Sequence, residues 1–227
     1  MTADQIVLLG GLWLDASAWD GVVAELDKKD RRAVAVTLPG QGDGNTSATL
    51  ADQVAAVLAA VDAAPGKSIV VGHSAAASLA WLAASERPDR VAKTALIGGF
   101  PTPDGQPYAD FFPTADGLMP FPGWEPFEGA DAADLDEPAR KAFSAAAVPV
   151  PEGVSKGVVR LADDRRFDVP TVLICPEFTP DQAREWVAGG DLPELARAKT
   201  VTYVDIDSGH WPMLTRPSEL AQILAEI

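Results

Sequence analysis

Six short apolar runs punctuate the chain: Ile6 to Leu9, Ala33 to Thr37, Ile69 to Val71, Thr94 to Ile97, Thr171 to Cys175 and Val201 to Asp205. Each is too short for a helix and nearly continuous in apolar residues, the pattern of strands covered on both faces. Helical patterns fill the gaps. Trp19 to Lys28 follows a cap expected at Ser17, and Leu50 to Ala63 follows Thr49, with Asp52 placed to complete a capping box. Ala75 to Glu86 is rich in alanine and leucine and stops before Pro88, while Ser218 to Ile227 follows Pro217. This alternation predicts an α/β fold with a doubly wound, mostly parallel six-stranded sheet, whose ligands gather at the carboxyl ends of the strands.

One stretch breaks the alternation. From Pro101 to about Arg166 the chain carries prolines, glycines and aromatics, then acidic DAADLDE, then helical-looking PARKAFSAAA and PEGVSKGVVRLADD. An insertion of this length is rarely bare loop, so a helical lid is expected at 101–166 between strands four and five, with 1–100 and 167–227 forming the core. Its aromatics, Tyr108, Phe111, Phe112, Phe121, Trp124 and Phe127, either dock the insertion on the sheet or line a pocket beneath it.

A chain of 227 residues suffices for one domain with a substantial core. Its net charge of −15, from 33 acidic and 18 basic residues, disfavours nucleic acid and anionic membranes as partners. The single cysteine, Cys175, forms no internal disulfide and has no companions for a structural zinc site; it reads as buried filler. The start MTADQIVLLGG lacks the pattern of a secretory signal, and no apolar run approaches the roughly 20 residues of a membrane span. The expectation is a cytoplasmic monomer or homodimer acting on a small molecule, without metal or cofactor.

Chemistry concentrates in VVGHSAAA, Val70 to Ala77, where Ser74 stands between an apolar strand and a helix. That context gives a G-x-S-x-G match its meaning, although Ala76 replaces the last glycine; alanine is the next smallest residue and meets the same steric demand with more crowding. A serine capping a helix is the plainer alternative. The chain has two histidines. His73 adjoins Ser74 on a sharp turn and points elsewhere, whereas His210 follows the last strand and so sits at the same sheet edge, which makes it the candidate base.

These residues carry a resemblance to the α/β-hydrolase superfamily, and among its members to small six-stranded esterases of the plant methylesterase and hydroxynitrile lyase group. IVLLGGLWLDASAWDGVVAEL resembles the oxyanion strand and its helix, AVTLPGQGDGNTS a Leu-Pro-Gly-His-Gly loop with Gln41 replacing histidine, VVGHSAAASLAWLAASERPDRVAKTALIGG the elbow block, and SGHWPMLTRPSEL the histidine block. The resemblance implies a serine hydrolase in which Ser74 attacks a carbonyl, His210 shuttles its proton, and the amides of Leu12 and Ala75 hold the oxyanion. Trp13, His73, Phe111, Trp124 and Trp211 are the expected substrate contacts. Gly10-Gly11 stands where relatives have His-Gly, which predicts a looser oxyanion loop.

The acid is less determined. Relatives place an aspartate shortly beyond strand five, but VLICPEFTPDQ has none in register. Glu177 is nearest, its extra methylene compensating for a backbone offset; Asp104, after strand four, is the second choice. Asp181, further along, is also a candidate acid but is expected rather to cap the helix QAREWV, and Asp207 to shape the turn before His210. Two other function classes stay open: a lyase or cofactor-free enzyme on the same scaffold, the resemblance implying for the lyase a lysine near the pocket entrance, with Lys141 and Lys156 in the insertion, and a non-catalytic small-molecule binder.

Overall fold

The computed structural model describes residues 4–227. Strands β1 (Gln5–Leu9), β2 (Ala33–Ala35), β3 (Ser68–His73) and β4 (Val91–Ile97) alternate with helices α1 (Asp20–Asp27), α2 (Leu50–Asp62) and α3 (Ala77–Glu86). The insertion follows, with β5 (Leu118–Met119), α4 (Glu137–Ala146), β6 (Val150–Pro151) and α5 (Glu152–Ser155). The chain then returns through β7 (Thr171–Cys175), α6 (Pro180–Gly189), α7 (Pro193–Arg197), β8 (Val201–Asp205), α8 (Pro212–Thr215) and α9 (Pro217–Glu226). The main sheet has the order β2-β1-β3-β4-β7-β8, and every pairing in it is parallel. Because β2 and β3 lie on opposite sides of β1, the chain reverses direction across the sheet there. Such a switch point opens a crevice at the carboxyl ends of the strands.

Side chains alternate across the strands and so build two cores. Val7, Leu9, Val70, Leu96 and Leu173 pack towards α2 and α3, joined by Ala183 of α6 and Leu195 of α7. Ile6, Leu8, Ile69, Val71, Ile97 and Ile174 pack the other way, against Val22 and Leu26 of α1 and Leu220 and Leu224 of α9. Helix α3 is buried from Ala77 to Ser85, which is why it is apolar all round rather than striped. The edge strands β2 and β8 are only partly covered; the expectation of two covered faces holds for the inner strands alone. Among the described residues no helix is long and apolar enough to cross a membrane.

Local signals succeed where their partners are close in sequence. Thr49 and Asp52 form the capping box at α2: Asp52 Oδ2 accepts the Thr49 amide at 2.8 Å, and Thr49 Oγ1 accepts the Asp52 amide at 3.3 Å. Ser17 is not a cap. Asp15 takes that role for a 3₁₀ turn at Ala16–Trp19, accepting the Ser17 amide at 2.8 Å, and α1 begins only at Asp20. Asp181 is no cap either: Thr179 and Gln182 form the capping box of α6, and Asp181 pairs with Arg184 at 2.5 Å.

The insertion between β4 and β7 is less helical than its sequence suggests. PARKAFSAAA yields α4, but PEGVSKGVVRLADD yields only the four-residue α5 and a 3₁₀ turn at Asp164–Asp168. The intervening residues pair instead with 105–109: the Tyr108 amide donates to Gly157 O at 2.8 Å and the Val159 amide to Gln106 O at 2.9 Å. Gly157 and the β-branched pair Val158-Val159 favour that extended pairing over a helix.

The insertion's far end is anchored by a buried ion pair. Arg166 Nε donates to Glu194 Oε2 at 2.9 Å with the side chains 3% and 8% exposed, and Trp81 Nε1 on α3 donates to the same oxygen at 2.8 Å. Removing the carboxylate leaves the buried Arg166 Nε and the Trp81 indole N–H without an acceptor, while Arg166 Nη1 keeps Asp164 Oδ1 at 2.9 Å and Asp163 O at 3.1 Å. Glu194→Ala is therefore expected to cost about 3–5 kcal/mol, read from the urea unfolding midpoint. A loss below about 1 kcal/mol would show that the pair is replaceable by water.

Candidate active site

The serine block runs from β3 into a 3₁₀ turn, Ser74–Ala76, that leads into α3. Ser74 has φ +53°, the left-handed conformation in which L residues are strained by about 1–3 kcal/mol. The turn is sharp because backbone meets backbone: a Cβ at Gly72 would lie 2.2 Å from the carbonyl oxygen of Ala76. The first glycine of the pentapeptide is thus sterically required, whereas Ala76 is accommodated with its side chain fully buried.

Four strand ends converge here. From β1 comes the loop Gly10–Trp13, from β3 Ser74, from β7 Glu177 and from β8 His210. His210 Nδ1 lies 2.8 Å from Glu177 Oε1. An ionised carboxylate can only accept, so Nδ1 donates, and in the neutral imidazole the lone pair then lies on Nε2. The side chains of His210 and Glu177 are 13% and 14% exposed. Asp104 lies elsewhere, its carboxylate accepting the Leu161 amide at 2.8 Å within the insertion.

The histidine loop is tied from two sides. His73 Nε2 donates to the carbonyl oxygen of His210 at 2.7 Å. Burial, followed by the neighbouring His210, holds the His73 imidazole well below its usual range, so it is neutral and serves as a brace. From the insertion, the Asp131 carbonyl accepts the His210 amide at 2.7 Å. Burial also raises the Asp131 carboxyl from its ordinary value, with nearby His210 opposing and Glu177 adding to the shift.

Beside the serine, Gly11 is packed so closely that a Cβ there would lie 2.9 Å from Ser74 Cβ and 2.8 Å from His73 Nδ1. This contact carries Leu12 to the cavity wall. The loop is not loose, contrary to the expectation from Gly10-Gly11. Gln41, 1% exposed, donates from Nε2 to Gly11 O at 2.7 Å and to Leu14 O at 2.8 Å, and Gln53 Nε2 donates to Gln41 Oε1 at 2.9 Å. A fully buried pair of glutamines thus supports the loop. Its signal was a long polar side chain in the glycine-rich turn after β2, where the site crevice lies. Gln41→Leu removes the donor that ties Gly11 O to Leu14 O and leaves Gly11 O only the 3.4 Å contact from the Leu14 amide, so kcat is expected to fall tenfold or more while the protein loses about 1–3 kcal/mol. Steady-state kinetics beside urea unfolding check both.

The cavity at this junction has a volume of about 190 Å³, with Leu12, Trp13, His73, Ser74, His210 and Trp211 in its walls and Phe111, Phe112 and Phe127 contributed by the insertion. Phe111 is 64% exposed. Phe112 and Phe127 join the wall beyond the contacts expected. Trp124 does not line the cavity: its indole N–H donates to Ser144 Oγ at 2.9 Å, and its ring packs on Trp211 at 5.4 Å between centroids. Ala75 directly follows Ser74 and is 7% exposed. Trp13 has φ +65°.

The lysines weighed for lyase chemistry are absent from the cavity wall. Lys156 is paired with Glu152, and Lys141 is exposed on α4. Cys175 is fully buried, and burial, with the charges of Asp205 and Glu177, pushes its thiol up to about 12. It is protonated at neutral pH and is no nucleophile.

Similar solved structures share this architecture from end to end. An extracellular alpha/beta-hydrolase from a Paenibacillus species, described as sharing structural and functional homology with tobacco salicylic acid binding protein 2, superposes with a TM-score of 0.78 at 19% identity, covering 99% of this chain and 98% of that one. The methylesterase MES16 from Arabidopsis gives 0.75 at 17% identity over 99% and 98%. A pyrethroid hydrolase from Sphingobium faniae JZ-2 gives 0.72 at 20% identity over 99% and 97%. At such identities the likeness is one of fold. No match was found among curated proteins. The profile of the Alpha/beta hydrolase family matches residues 6–223, and the chain that folds into this switched parallel sheet with a strained serine behind β3 belongs to that family.

Proposed function

We propose that the protein is a serine hydrolase cleaving carboxylic esters of small apolar or aromatic substrates through an acyl-enzyme on Ser74. The observation that carries this reading is the 2.8 Å contact of His210 Nδ1 with Glu177, in a cavity wall that His210 shares with the strained Ser74. His210 Nε2 accepts the hydroxyl proton as Ser74 Oγ bonds to the ester carbonyl carbon, and the negative charge moves to the carbonyl oxygen. The amides of Leu12 and Ala75 hold that oxyanion. Collapse breaks the bond to the alkoxy group, which leaves with the proton from His210. Water then adds to the acyl-enzyme with His210 as base, releasing the acid and restoring Ser74. Glu177 keeps the imidazole in the working tautomer and offsets its charge while protonated.

The apolar wall supports the substrate class, because small ligands favour aromatic-lined cavities with few polar groups. A methylesterase and a pyrethroid hydrolase among the structural neighbours agree with it. The test is a fluorophosphonate probe followed by peptide mass mapping: labelling confined to Ser74 is expected. An unlabelled but folded enzyme would favour a lyase-type chemistry, in which the serine only donates a hydrogen bond.

A further inference from the structure

Trp13 faces two spaces at once. On one side is the cavity of about 190 Å³ that contains Ser74 and His210. On the other is a cleft of about 580 Å³ between the turn at 15–18, α4 and α8, walled by Leu14, Leu135, Ala142, Phe143 and Leu214. Among the described residues Trp13 is the one common to both walls. The first space is below the roughly 300–1,000 Å³ of ordinary ligand sites, and the second falls within it. The space beside the serine is thus the smaller of the two, about a third of its neighbour's volume.

The indole is held as a wall. Its N–H donates to Met119 O at 3.2 Å, the Trp13 backbone carbonyl accepts the Val148 amide at 2.9 Å, and Phe112, Phe121 and Phe127 stand 5.4–5.9 Å away between ring centroids. All these partners belong to the insertion. The cleft's own chemistry selects its occupant: Asp15, Asp134 and Asp136 border it with Arg216. Three carboxylates against one guanidinium disfavour an anionic tail, and the aliphatic wall suits a neutral alkyl chain.

We propose that Trp13 is the specificity-determining partition of the site, restricting esters at Ser74 to short acyl groups and closing off an adjoining chamber of the size and polarity for a medium-length alkyl chain. The proposal rests on the serine-hydrolase reading above and goes beyond it in assigning the acyl-length limit to one side chain.

The test compares p-nitrophenyl acetate with p-nitrophenyl octanoate. Trp13→Gly suits the backbone, since glycine adopts φ +65° without strain, and it removes the wall. The octanoate-to-acetate ratio of kcat/KM is expected to rise at least tenfold in W13G and by less in W13L. Adding A142W, which fills the cleft from α4, to the W13G variant returns the ratio towards that of the wild type. A ratio within twofold of wild type in both single variants, or a rise that A142W leaves untouched, overturns the partition. Circular dichroism checks folding, and W13L carries the comparison if W13G does not fold. Absence of both esterase activity and Ser74 labelling in the wild type would refute the hydrolase reading alone. The partition is then read by calorimetric titration with 1-octanol, which must bind the open variant more than tenfold tighter than the wild type; equal binding overturns it.

Discussion

Ser74→Ala is expected to lower ester turnover by about 10⁵–10⁶-fold while leaving the fold and the midpoint of unfolding nearly unchanged. The hydroxyl is the only group removed, and the residue's left-handed backbone is imposed by the packing of Gly72 on the following turn. Alanine in that conformation carries the same strain as serine. Residual turnover is attributed to oxyanion contacts and substrate positioning, which survive the substitution. The assay pairs a short-chain nitrophenyl ester with active-site titration by a fluorophosphonate. Turnover within tenfold of wild type would move the nucleophile elsewhere in the molecule.

The second large effect lies at Glu177. Glu177→Gln is expected to cost about 10⁴ in kcat with little change in KM, because an amide can present a donor to Nδ1, stabilise the wrong tautomer and leave the imidazolium without its counter-charge. Glu177→Asp is the more informative variant. It keeps the charge but withdraws the carboxylate by one methylene, about 1.5 Å, from a contact now at 2.8 Å. A displacement of that order is expected to cost about 10²-fold. The graded series Glu, Asp, Gln therefore separates charge from placement. Equal activity in all three would mean that His210 is oriented without this carboxylate, by the His73 and Asp131 ties alone.

Strand-helix alternation was legible because the six apolar runs are local and their lengths decide between strand and helix. The same holds for the α2 capping box, whose partners are three residues apart. Legibility fell where a local signal competed with a distant one. Ser17 and Asp181 both look like caps, yet Asp15 and Thr179 are placed for the amides of their helical turns. The second half of the insertion looks helical but finds backbone partners some fifty residues away in 105–109. Trp124 belongs to the aromatic set that suggested a pocket, and it packs behind the wall rather than in it. Gln41 was visible only as a substitution in a loop; that its amide spans two carbonyls of another loop depends on β1 and β2 being neighbours.

The sequence by itself determined the α/β class, the strand-to-helix elbow around Ser74 and the short search for a base, since these follow from periodicity, small residues at a turn and a count of two histidines. It also narrowed the acid to a few carboxylates. Tertiary structure alone decided that Glu177 faces His210 while Asp104 binds within the insertion, that a glutamine pair braces the loop after β1, and that Trp13 borders two spaces. The reason is physical: backbone preference acts over a few residues, whereas a site assembled from the ends of β1, β3, β7 and β8 is set by sheet order and packing, which join residues more than a hundred positions apart.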